Sequence, residues 1–143
     1  MKSVVDLNVM LPLVLAQHPH RAIAGEWWEN CPDASVVFTL PVRMGLLRLL
    51  TNRAVMAEGV LSPEAAWQTL DALTQDSRAT IAREVPAGME SLWLSLVRGR
   101  EPSPNLWTDA WLAAFAEAQR NEMVTFDRGF QAFNLSHLHL LGE

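Results

Sequence analysis

The chain has no tyrosine, a single cysteine and no long uninterrupted apolar run. Each shortage closes a route. Cys31 alone cannot form an internal disulfide, which fits a reducing compartment and leads to an expected cytoplasmic location. It stands in Trp28-Glu-Asn-Cys-Pro-Asp33 with no basic neighbour to lower its pKa, so a buried or loop thiol is expected rather than a nucleophile. No stretch approaches the roughly 18 apolar residues that span a bilayer, so no membrane association is expected. Met1 to Asp6 lacks the h-region and small-residue cleavage site of an export signal. Basic residues are also short: 11 Lys and Arg face 16 Asp and Glu, a formal charge of −5. Tight nucleic-acid binding rests on neutralising phosphate, so this balance argues against a high-affinity DNA-binding module. It leaves open an enzyme that meets nucleic acid briefly and offsets phosphate charge with metal ions.

What is present suits one globular domain over residues 1–143. Half the residues are apolar and 19% are charged, the balance of a chain that buries a core. Ser3-Val-Val-Asp6 reads as a short buried strand ending in an acid. Asn8 to Ala16 follows as a helix of a turn or two, with Asn8 as its N-cap and Pro12 limiting its length. Arg21 to Asn30 is amphipathic, with Ile23 and Trp27 on one face. Ser35 to Thr39 is a second strand. Pro41 opens a helix whose leucines, Leu46, Leu47, Leu49 and Leu50, surround most of its circumference, as in a helix buried between layers; Arg48 within it needs a partner or an exposed edge.

Thr51 to Leu61 is a connection, and Ser62-Pro63-Glu64 is a helix start with Ser as N-cap and Pro at the first position. Arg78 to Arg83 is a third strand, and Pro86 to Arg98 another helix. A loop over Gly99 to Pro104 leads to the helix carrying Asp109, with Trp107 or Thr108 as its N-cap. Met123-Val-Thr125 and Leu138 to Leu141 are the last strands. Strands alternating with helices in this way predict right-handed crossovers. The fold class expected is α/β, with a central, mainly parallel sheet of four or five strands flanked by helices on both faces.

Three acids stand at the edges of apolar segments: Asp6 and Asp127 after strand candidates, Asp109 in the first turn of a helix. Taken singly, Asp109 could answer the helix dipole and Asp127 could serve a turn with Gly129. Open parallel sheets bind ligands beyond the carboxyl ends of their strands, and this topology brings the three acids to that rim. Crowded carboxylates persist only with a cation or with raised pKa values. Oxygen ligands without His or Cys select Mg²⁺ or Mn²⁺ rather than zinc, and such sites suit phosphoryl chemistry.

Val4-Val-Asp-Leu-Asn-Val9, Leu46-Leu-Arg-Leu-Leu-Thr-Asn52, Trp107-Thr-Asp-Ala-Trp-Leu-Ala-Ala114 and Val124-Thr-Phe-Asp-Arg-Gly-Phe130 together resemble, in order and spacing, the blocks of PIN-domain ribonucleases, and most closely the VapC-type toxins of bacterial toxin–antitoxin pairs. The resemblance covers nearly the whole chain as a single PIN-like domain. It implies a Mg²⁺-dependent endoribonuclease, with Mn²⁺ as an alternative ion, in which a carboxylate-held metal and activated water hydrolyse RNA phosphodiesters. It further implies a small cognate antitoxin as partner and a homodimer. On it, Asp6, Asp109 and Asp127 hold the metal. Asn8 and Thr125 orient them or the attacking water, and Thr108 caps the helix beside them.

One departure stands out. The family commonly carries a further acid near the start of the helix after the second strand, where this chain has Gly45. Glu26 or Glu29 is a conceivable substitute, although a solvated helix face is the simpler role for both. Arg43 and Arg48 are candidates for contact with RNA phosphate or the antitoxin; for Arg48 an internal pairing is an equal alternative. The gap at Gly45 also allows a second function, a catalytically impaired PIN-like protein-interaction module. A phosphatase of another α/β fold would want a second Asp two residues after Asp6, where Asn8 stands.

Overall fold

The structure, a computed structural model, describes all of residues 1–143. Five short strands form one sheet: β1 (Ser3–Val5), β2 (Val36–Phe38), β3 (Ala79–Ile81), β4 (Glu122–Thr125) and β5 (Leu138–Leu140). Their spatial order is β3-β2-β1-β4-β5, and every pairing is parallel. Successive strand residues face opposite sides of a sheet. Val4 and Val5 are both fully buried, as are Met123 and Val124, so the centre of the sheet is covered on both faces. This is why the strands are continuous apolar runs without polar alternation.

The covering helices form two packed groups. One comprises α1 (Leu7–Val14), α2 (Arg21–Glu29), α3 (Leu40–Leu50) and α5 (Pro63–Thr74); the other pairs α6 (Met89–Val97) with α7 (Leu106–Ala118). No helix is long and apolar enough to cross a membrane. The start of α5 follows its sequence signature: Ser62 Oγ accepts the Ala65 N–H at 3.1 Å, with Pro63 at the first helical position.

Four local expectations are corrected. Helix α1 is capped by Asp6 rather than Asn8: the Asp6 carboxylate accepts the Leu7 N–H, and Asn8 is already helical. Helix α2 buries Ala24 and Trp28, while Ile23 is exposed and Trp27 only partly covered; the covered face is rotated by about one residue from the one the larger side chains mark. Helix α3 is not enclosed all round. Val42, Gly45, Leu46 and Leu50 face the core, whereas Leu40, Met44 and Arg48 are exposed. The connection after it contains a helical turn, α4 (Arg53–Met56), followed by a 3₁₀ turn over Ala57–Gly59; Asn52 caps α4, its side chain accepting the Ala54 N–H at 3.0 Å.

Candidate active site

From β1 the chain winds outward through β2 to β3, and from β4 it winds the other way to β5. The β1–β4 boundary is thus the reversal point at which open α/β sheets bind their ligands. Pairing Val5 with Val124 carries Asp6 and Thr125 out together at the carboxyl edge.

Asp6 is 8% exposed and serves both elements it joins. Its Oδ1 accepts the Leu7 N–H at 2.7 Å, capping α1, and its Oδ2 accepts the Thr125 hydroxyl at 2.8 Å. The same hydroxyl oxygen accepts from Asn8 Nδ2 at 3.2 Å and from the Asp127 N–H at 3.0 Å. Asn8 Oδ1 in turn accepts the Phe126 N–H at 3.2 Å. Asp6, Asn8 and Thr125 therefore form one latched network in which the donor and acceptor ends of the Asn8 amide are both assigned. Burial pushes the Asp6 carboxyl above its ordinary pKa, the nearby Asp127 charge adds to the rise, and the bonds from Thr125 and Leu7 oppose it.

Asp127 leaves β4 and begins a 3₁₀ turn over Arg128–Phe133, with its Oδ1 accepting the Gly129 N–H at 2.8 Å. The turn role open to it from sequence is real, and it occupies only one carboxylate oxygen. Asp109 sits in the first turn of α7, which is preceded by Asn105 and not, as expected, by Trp107 or Thr108; no side chain caps this helix. With burial and the charges of Asp6 and Asp127 acting together, the Asp109 carboxyl is pushed up to about 7.

All three acids line one open cleft of about 350 Å³, together with Asn8, Thr108, His18 and Arg48. Thr125 lies beneath it, fully buried. Arg48 takes the exposed edge rather than an internal ion pair, and it supplies a guanidinium to an otherwise acidic rim. Glu26 and Glu29 do not line the cleft; Glu29 pairs with Arg78 at 3.2 Å.

Two polar lining residues, His18 and Asn105, were not legible in the sequence; His18-Pro-His20 carries only the signal of a chain break. For His18 the structure shows a specific contact. Its Nδ1 accepts the His20 N–H at 3.0 Å, which holds a neutral ring with its proton on Nε2. Burial and the neighbouring His20 both lower its pKa. Gly45 also lines the cleft, and a β-carbon there would lie 2.7 Å from Leu7 Cδ2. The position that lacks an acid is filled from outside by a leucine.

Hard oxygen donors that repel one another fit Mg²⁺ or Mn²⁺ in type. They do not form a finished cage, since no three His, Cys, Asp or Glu side chains close around a single point. Mg²⁺ is usually held through one or two carboxylates and keeps much of its water, so an open acidic rim matches its habit better than a zinc-type cage would.

A family model described as the PIN domain matches residues 3–134. Ribonuclease VapC41 of Mycobacterium tuberculosis is 34% identical over 142 residues, covering 96% of this chain and 97% of that protein. Ribonuclease VapC43 of the same organism is 36% identical, covering 90% and 88%. Among solved structures, VapBC2 from Rickettsia felis, bound to a DNA fragment from its promoter, superposes with a TM-score of 0.68 at 16% identity over 99% of both chains. VapC20 of Mycobacterium tuberculosis, described as a Sarcin-Ricin loop cleaving toxin, gives 0.66 at 22% identity over 96% of this chain and 99% of that one. These two likenesses carry the fold, and the sequence matches carry the lineage: the chain belongs to the PIN-domain family, on its branch of VapC ribonucleases.

Proposed function

We propose that this protein is a divalent-metal-dependent endoribonuclease that acts in the cytoplasm as the toxin of a VapBC-type pair. The carrying observation is the convergence of Asp6, Asp109 and Asp127 on one cleft at the reversal point of the sheet, with Asp109 raised to about 7 by burial and by the other two acids. Asp109 and Asp127 are the more accessible of the three and would hold Mg²⁺ or Mn²⁺, with Asp6 fixed behind them by Thr125. Such an ion supplies positive charge that offsets the phosphodiester and activates water. The chain's own part is placement. The Thr125–Asn8 latch sets the Asp6 carboxylate against β4, and Arg48 at the rim is placed to meet a phosphate oxygen that the acids alone would repel.

The test is cleavage of single-stranded RNA by purified protein with Mg²⁺ or Mn²⁺. Cleavage is expected to vanish in EDTA and in Asp109→Asn, with an unchanged circular dichroism spectrum. RNA cut at the wild-type rate by Asp109→Asn would sink the assignment. The toxin role predicts growth arrest on expression, relieved by a small protein encoded beside it. The homodimer implied by the family is tested by light scattering on the purified protein.

A second reading, a PIN-like interaction module without activity, is favoured by one observation, the Leu7 side chain packed where a side chain at Gly45 would begin. It predicts neither Mn²⁺-dependent thermal stabilisation nor RNA cleavage, so a Mn²⁺ titration of the melting temperature separates the two.

A further inference from the structure

A second cavity, of about 450 Å³, opens beside the acidic cleft, beyond the carboxyl ends of β2 and β3. The two share Pro41 and are bounded by the same helices: α3 presents Val42 and Gly45 to the acidic cleft but Arg43 and Met44 to its neighbour, and α7 presents Asp109 and Leu112 to one but Trp111 and Phe115 to the other. From β1 to β3 is two strand spacings, so the cavities lie about 10 Å apart along the sheet edge.

The walls of this second cavity differ in kind from the acidic cleft. Arg43 and Arg83 both line it, and neither has a carboxylate within ion-pair distance, although Glu84 is also on the wall. The Arg43 side chain reaches only the Ala82 carbonyl, at 3.5 Å, and its buried Nε has no hydrogen-bond partner. Thr39, fully buried on the same wall, also has a hydroxyl without a partner. Burial and the charge of Arg83 both disfavour the protonated form of Arg43, as expected of neighbouring cations of which neither is paired with an acid. Much of the remaining lining is apolar: Met44 and Val85 are exposed, and Trp111 stacks on Phe115 with ring centres 5.4 Å apart and planes 16° from parallel.

We propose that this cavity is a nucleotide subsite, in which Arg43 and Arg83 bind a phosphate of the RNA strand next to the scissile one and the Met44–Trp111 wall receives its base. Guanidinium groups match phosphate in a bidentate fork, and single-stranded RNA is held by such contacts together with bases laid against aromatic surface. The position explains how a chain of net charge −5 holds a polyanion: the cations are gathered beside the acids, on the line the strand would follow. A peptide segment of a protein partner would also find apolar surface here, but two unpaired guanidinium groups on the side adjoining a phosphodiester-cleaving cleft favour the polyanion. The inference rests on the ribonuclease reading for the strand's direction, and its test does not depend on cleavage.

The test is binding of a fluorescein-labelled single-stranded RNA oligonucleotide to the full chain in EDTA, read by fluorescence anisotropy across a salt series. Arg83 is exposed and Arg83→Ala is not expected to disturb the fold; Arg43→Lys, which keeps the charge and loses the fork, is the second variant. The expected result is affinity at least tenfold weaker for Arg83→Ala, with the slope of log affinity against log salt shallower by about 0.7, the loss of one phosphate contact to a single strand. Arg43→Lys is expected to weaken binding with little change of slope. Wild-type RNA affinity and slope in both variants would overturn the subsite, as would absence of RNA binding by the wild type. Variants that keep RNA affinity but lose binding to an acidic peptide would reassign the cavity to a protein ligand. A wild type that binds RNA, loses that binding in Arg83→Ala and cuts nothing would support the subsite and remove only the hydrolytic reading.

Discussion

The Thr125 hydroxyl donates to Asp6 Oδ2 at 2.8 Å while accepting from Asn8 Nδ2 and from the Asp127 backbone, so one oxygen fixes the spacing of four residues at the cleft. Thr125→Val keeps the shape and removes that oxygen. It leaves a buried carboxylate oxygen, an amide and a backbone N–H unsatisfied, and is expected to cost about 1–3 kcal/mol in urea unfolding, together with most of the activity. Thr125→Ser retains the hydroxyl and should recover most of both. Equal stability in the valine and serine variants would show that the latch is dispensable.

Replacing Asp6 and replacing Asp109 should not be equivalent, although both are expected to end cleavage. Asp6 accepts with both carboxylate oxygens, so Asp6→Asn sets an NH2 donor against either the donating Thr125 hydroxyl or the Leu7 N–H and forces the network to rearrange; a loss of about 1–3 kcal/mol is expected. Asp109→Asn relieves repulsion from Asp6 and Asp127 and should raise the melting temperature of the metal-free protein. Thermal melts of the two variants in EDTA check the difference in sign.

The pH dependence of stability follows from the same residue. Asp109 ionises at about 7 in the fold against an ordinary value of 3.8. Between those values the folded chain keeps a proton that the unfolded chain has released, so this group's contribution to stability falls as pH rises from 4 to 7 and levels off above 7. Asp6, whose pKa is also raised, pulls in the same direction. Urea midpoints in EDTA should decline over that range, and more shallowly in Asp109→Asn. Mn²⁺ affinity should rise across the same window, because the ion must displace the proton.

Gly45 and Leu7 are expected to behave as a coupled pair. A methyl at position 45 meets Leu7 Cδ2 at 2.7 Å, and overpacking of this kind costs about 1 kcal/mol or more, which offsets the helix-propensity gain of replacing glycine. After Leu7→Ala the same Gly45→Ala change should stabilise by about 0.5–1 kcal/mol. A double-mutant cycle measures the coupling, and additivity within about 0.3 kcal/mol would show that the contact is slack. Leu7→Ala with Gly45→Glu should add a carboxylate to the cleft and tighten Mn²⁺ binding.

Much of this was legible in the chain because the signals were local. A β-branched run ending in Asp6 and an apolar run followed by Asp127 show a strand edge and an acid together, and Ser62-Pro63 marks a helix start without reference to tertiary structure. Asp6 was expected at the site but not as the cap of α1, since a carboxylate can serve a helix end and a distant hydroxyl at once and sequence spacing shows only the first neighbour. The face of α2 was misjudged because burial followed position, covering Ala24 and Trp28, while the bulkier Ile23 was left outside. His18 could not have been found: its place beside the acids is set by a loop following α1, and loops leave no periodicity. The pairing of Arg43 with Arg83 was equally hidden, since it depends on β3 lying next to β2.

The bond between Thr125 and Asp6 spans 119 residues of sequence, and β1 meets β4 only after most of the chain has been made. Long-range parallel pairings of this kind form late and slowly. During synthesis β1 can pair with β2 on one side while its other edge waits, and the cleft has neither Asp127 nor the hydroxyl that sets Asp6. A chain cut short before Thr125 would never assemble the cleft, so nonsense mutations almost anywhere in the reading frame should abolish its activity completely rather than leave a weakened one.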